Sequence, residues 1–162
     1  EKADLVGLRD CRLDPKWVPC PSVHHMMFDI MENKPKSPET VLAFQHREER
    51  FSFPAPDGSH SIKSQGSLFD ILREIEEHEV VISSSYHGCL WATMLGCKTL
   101  SINGFSQKFR TGLPDSVVSI TTDDLADLEQ ILDSISPNET FLRDARMRSF
   151  AFAAEVKSLL KR

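Results

Sequence analysis

No run of apolar residues in this chain approaches the roughly 18 that a membrane span requires, and the opening EKADLVGLRD has no signal-peptide character. No membrane-spanning helix is therefore expected within these residues. An initiator Met is also missing, so a fragment of a longer chain is expected. Paired cysteines are lacking too. The four cysteines fall as C-x8-C (Cys11, Cys20) and C-x7-C (Cys89, Cys97), which fits neither a zinc site nor a small disulfide scaffold. Reduced thiols in a cytoplasmic protein are expected, with peripheral association at the inner membrane allowed. Excess positive charge is absent as well. A net charge of −5 and a pI near 5.7 argue against a broad nucleic-acid surface, so any phosphate must be held by a local pocket.

What is there suits one folded domain: 162 residues with 40% hydrophobic content and no internal repeat. Short apolar runs at Asp4–Leu8, Thr40–Phe44, Glu79–Ser83, Lys98–Asn103 and Val117–Thr121 read as buried strands. Between and after them lie helix patterns. Ser67 with Asp70 forms a capping box ahead of a helix that carries Leu68, Phe69, Ile71, Leu72 and Ile75 on one face and ends near His78. Gly88–Leu95 reads as a helix closed by Gly96. Thr122 or Asp123 caps another with Leu125, Leu128, Ile131 and Leu132 inward, and a last helix starts near Pro137. Apolar strands separated by helix-length segments predict a Rossmann-like α/β domain, a parallel sheet with helices on both faces. Residues 1–35 are expected to be the tail of, or link to, a preceding domain. The polar stretch His46–Gly66 is either an active-site loop or a shortened repeat unit.

The chemistry concentrates at SSSYHG, Ser83–Gly88, where a strand meets a helix. Ligands of open α/β sheets bind outside the carboxyl ends of the strands. The N–H groups of a first helical turn favour an anion, serine hydroxyls add donors, and Gly88 permits close approach. His87 can add charge or move a proton near neutral pH. The plainer alternative is that Ser84 or Ser85 is an N-cap and His87 a partly buried structural side chain. His46 ends a strand at the same edge, with pocket and structural readings both open. His24-His25 and Met26-Met27 lack the ligand spacing of a metal site and read as surface or packing residues, as Trp17 and Trp91 read as packing.

SSSYHGCLWATMLGCKTLSI resembles the polysaccharide pyruvyl transferase family, whose C-terminal half carries a strand, a Ser/Arg-x-His-Gly turn, a small-residue helix, a Gly and another strand. RDCRLDPKWVPCPSVHHMMFD, LAFQHRE and SQKF are similar to further family segments, in the same order, from Arg9 to Phe109. The resemblance implies one half of a two-domain, GT-B-like enzyme. It implies transfer of a pyruvyl group from phosphoenolpyruvate to two sugar hydroxyls as a ketal, in exopolysaccharide or cell-surface glycan synthesis. No cofactor or metal is implied; phosphoenolpyruvate is the donor substrate and a sugar-nucleotide or lipid-linked saccharide the acceptor, with homo-oligomerisation left open. His87 is then the catalytic candidate, with Ser84, Ser85, Tyr86, Gly88, His46, Arg9 and Lys108 binding substrate. One departure is Ser85, where many members have arginine. A cation from elsewhere is needed in its place, and Lys108 in SQKF is the best placed.

Two other functions remain open at this level. A nucleotide-sugar glycosyltransferase domain would need an acidic residue for the ribose, for which Glu48, Glu49 and Asp57 are candidates. A non-catalytic anion- or glycan-binding module is the other.

Overall fold

The structure, a computed structural model, describes residues 18–31 and 37–161. The expected strand Asp4–Leu8, together with Arg9 and Trp17, lies outside the described residues. Five strands form one sheet: β1 (Ser37–Gln45), β2 (His60–Lys63), β3 (His78–Ser83), β4 (Lys98–Ile102) and β5 (Val118–Ile120). Their order is β2-β1-β3-β4-β5, and every pairing is parallel. The helices are α1 (Met27–Met31), α2 (Leu68–Glu76), α3 (Tyr86–Met94), α4 (Gln107–Thr111), α5 (Leu128–Ser134) and α6 (Phe141–Leu159).

Alternation along the strands divides the core between two faces. Leu42, Phe44 and Val81 pack with Leu72 and Ile75 of α2, Cys89 and Leu90 of α3, and Phe141 and Leu142 of α6. Ala43, Val80, Ile82, Leu100 and Ile102 face the other way, onto Phe53, Leu128, Ile131 and Ile135. The fold is thus a Rossmann-like α/β domain with helices on both faces of the sheet. Val23, Met27, Phe28 and Met31 are buried in the first of these clusters, and Arg146 of α6 bonds the Val23 carbonyl at 2.8 Å and Asp29 at 2.6 Å. Residues 18–31 therefore belong to this core.

The stretch His46–Gly66 carries a strand of its own, β2. Its connection from β1 crosses the face that holds Phe53, whose backbone N–H and carbonyl both bond the buried Gln45 side chain at 3.0 and 2.9 Å. The chain then returns through α2 on the opposite face and enters β3 on the other side of β1. Caps behave locally as the residue types dictate. Ser67 accepts from Asp70 N–H at 3.2 Å and donates to the Asp70 carboxylate at 2.6 Å, while Phe69, expected on the inward face, is 48% exposed because the buried face of α2 runs through Ile71, Leu72 and Ile75. Gly96, at φ +67°, takes the left-handed position after α3. Beyond β5 the expected helix begins as a 3₁₀ turn, Asp123–Asp127, before α5.

Candidate functional site

β1 and β3 are neighbours whose outgoing connections leave on opposite faces of the sheet: the β1–β2 link over Phe53, and α3 over Phe44. That is a topological switch point, where the carboxyl ends of two strands open a crevice. His46 follows β1 there, and Ser84 to His87 follow β3.

All three serine hydroxyls take part in bonds within or beside the turn. Ser83 Oγ lies 3.1 Å from the carbonyls of Phe44 and Ser85 and accepts from Ser85 N–H at 3.0 Å. Ser84, 1% exposed, accepts from the N–H of His46 at 2.9 Å and so ties the end of β1 to the start of the β3 turn. Ser85 is the N-cap of α3, its hydroxyl accepting from Gly88 N–H at 3.5 Å. Gly88 is buried, and a Cβ there would lie 2.4 Å from Ser83 Oγ and 2.5 Å from the Phe44 ring. Its small size serves the approach of α3 to β1.

The side chains around this turn are rings. His46 meets Phe51 edge-on at 5.1 Å and Phe105 at 5.4 Å, while Phe51 and Phe105 stack at 3.7 Å. Phe105 leads to Phe109 at 5.5 Å, Phe109 to Tyr86 at 6.2 Å, Tyr86 to His87 at 5.3 Å, and His87 to Trp91 at 5.3 Å. A continuous ribbon of rings thus joins the ends of β1, β3 and β4. Tyr86 is anchored by its hydroxyl donating to the Gly112 carbonyl at 3.0 Å, and Asn103, at φ +51°, turns the chain sharply after β4. Phe105, next but one along, is 47% exposed on this rim.

Of the sequence-derived candidates, Ser84, Ser85, Tyr86, His87, Gly88 and His46 come together at the switch point. Lys108 is exposed on α4, adjacent to Phe109, which packs on Tyr86. Arg9 lies outside the described residues. Cys20 was missed as a site residue. Its Sγ is 4.0 Å from His87 Nε2, and its thiol is lowered to about 6, chiefly by the His87 hydrogen bond and against the upward push of burial. The two lie 67 residues apart, so no local spacing links them.

This edge can hold a small anion beside an imidazole, with ring faces along the crevice for a larger apolar or sugar surface. Among the described residues no three His, Cys, Asp or Glu side chains cluster as a metal site, and no helix is long and apolar enough to cross a membrane. The fold is a Rossmann-like α/β domain with a topological switch point between β1 and β3. Compared with known proteins, the chain matches no family model, no curated protein and no solved structure.

Proposed function

We propose that this chain is a polysaccharide pyruvyl transferase-like domain, which binds phosphoenolpyruvate at the first turn of α3 and contributes His87 to its transfer onto a saccharide as a ketal. The observation that carries the reading is the position of His87: half-buried on the first turn of α3, beside the switch point, with its ring stacked on Trp91. Phosphoenolpyruvate brings a phosphate and a carboxylate, which the positive end of α3 favours. Its methylene carbon must gain a proton before C2 accepts a sugar hydroxyl, and that hydroxyl must lose one; a group titrating near neutrality serves either step. Because Gly88 N–H is already bonded and the Ser83 hydroxyl donates within the turn, the anion relies on His87, the helix dipole and cations such as Lys108 or Arg47, both exposed.

The glycosyltransferase reading gains no support from its acidic candidates. Glu48 pairs with Arg50 at 2.8 Å and Glu49 with Lys63 at 3.2 Å, all at exposed positions. The test is turnover: phosphate release from phosphoenolpyruvate with a sugar-nucleotide or lipid-linked saccharide, and the ketal carbon read by NMR. His87→Asn should lower kcat by roughly 10²–10⁴-fold, the range for a general acid–base group. Binding of nucleoside diphosphates in place of phosphoenolpyruvate would overturn the reading.

A further inference from the structure

The described thiols occupy two kinds of surroundings. Cys89 is buried in the core, where desolvation pushes its thiol up to about 12, and Cys97 is buried with Sγ 3.5 Å from the His78 carbonyl. Cys20 stands apart from both. It is half-buried at the carboxyl edge, with Sγ 4.0 Å from His87 Nε2. The imidazole is itself held in place: it stacks on Trp91, one turn along α3, at 29° between planes, and meets Tyr86 edge-on at 75°. Trp91 Nε1 donates to Ser22 Oγ at 3.3 Å, so the turn that follows Cys20 is tied to the same helix. Three side-chain contacts therefore fix this imidazole and the turn beside this thiol.

We propose that Cys20 and His87 form a thiolate–imidazolium nucleophile whose substrates are hydroperoxides. The imidazole hydrogen bond is the largest influence holding the Cys20 thiol at about 6 rather than 9.0, with Ser22 adding to it and burial opposing. Among the described residues His87 is the titratable group whose charge acts on it. The sulfur lone pair attacks one peroxide oxygen and the O–O bond breaks. Cys20 is oxidised by two electrons to a sulfenic acid, and the departing oxygen takes the His87 proton and leaves as water or an alcohol. Oxidation thereby neutralises the thiolate and the imidazolium together, so the pair's net charge is unchanged while both charges are lost. An external thiol reverses it through a mixed disulfide. None of this depends on the pyruvyl transfer reading, because thiol reactivity is measured without sugar or phosphoenolpyruvate.

The test is the alkylation rate of the Cys20 peptide with iodoacetamide, resolved by mass spectrometry from about pH 5 to about pH 9, with sulfenic-acid trapping after hydrogen peroxide. An inflection near 6 is expected, from the lowered thiol. At pH 6 about half of such a thiol is ionised against roughly a thousandth of an ordinary one. Its weaker intrinsic nucleophilicity takes back roughly 25-fold, leaving an advantage of about twentyfold. His87→Phe keeps a ring on Trp91 but removes the proton partner, and should abolish that advantage along with the sulfenic acid signal. Should that variant fail to fold, the unmodified protein compared with itself in concentrated urea gives the same contrast. An inflection unchanged by the substitution or by unfolding, or a native one above about pH 8, overturns the proposal.

Discussion

Gly88→Ala tests how the crevice is built. The new methyl would sit 2.4 Å from Ser83 Oγ and 2.5 Å from Phe44 Cδ1. Neither neighbour can yield cheaply: Phe44 is 0% exposed, and Ser83 Oγ is fixed among the Phe44 carbonyl and both polar backbone groups of Ser85. Overpacking of this kind costs up to about 3 kcal/mol, whereas replacing a helical glycine by alanine returns roughly 1 kcal/mol. A net loss of about 2 kcal/mol follows, which at a urea m-value of about 2 kcal/mol/M lowers the unfolding midpoint by about 1 M. Gly58→Ala is the control. There φ is +75° and no atom lies within 4 Å of the added carbon, so only the backbone cost of about 1 kcal/mol remains. Urea unfolding followed by circular dichroism measures both. A Gly88→Ala protein as stable as the parent would refute the packing of α3 on β1 and return Gly88 to the ligand-approach role read from the sequence.

Ser84→Ala should cost about 1 kcal/mol in the same assay, since it removes the acceptor for His46 N–H; no change would mean that this bond does not hold the end of β1. Ser85→Arg should lose about 0.5–2 kcal/mol by destroying the α3 N-cap, contrary to a simple restoration of the family's arginine clamp; unchanged stability would contradict the cap. Stability should also depend on pH through Cys20. Its folded pKa, about 6, lies below the ordinary 9.0, so the contribution is complete above about 9 and is lost as pH falls through about 6. His87→Phe should flatten that slope in thermal melts. Lys108→Ala should weaken phosphoenolpyruvate binding by roughly 1.5–3 kcal/mol in titration calorimetry, the range for a charge-assisted hydrogen bond; equal affinity would remove Lys108 from the site.

Three of the strands read from the sequence are buried on both faces, where TVLAF, VVIS and TLSI leave little polar face to confuse the period, while β5 was read from its apolar residues although Ser119 is exposed. β2 escaped for the converse reason. HSIK is an edge strand with mostly exposed side chains, paired only to β1, and its register comes from that neighbour. The Ser83–Gly88 turn was legible as a strand-to-helix junction with Ser84 or Ser85 as a candidate N-cap, which Ser85 is, but the bonds of Ser83 and Ser84 were not, because their partners include the carbonyl of Phe44 and the N–H of His46, at the end of β1 and 38 or 39 residues earlier. The Cys20–His87 contact is likewise a product of the fold. It requires the 3₁₀ turn at Pro21–His24 to dock on α3 through Trp91.

The central claim is that phosphoenolpyruvate occupies the first turn of α3 beside His87. An ¹H–¹⁵N correlation titration of the protein with phosphoenolpyruvate reads it directly. Saturable shifts concentrated at the amides of Tyr86, His87, Gly88 and His46, weakened by His87→Asn and not reproduced by nucleoside diphosphates, are the predicted result. Shifts confined to other parts of the sheet, or none at millimolar ligand, would contradict it.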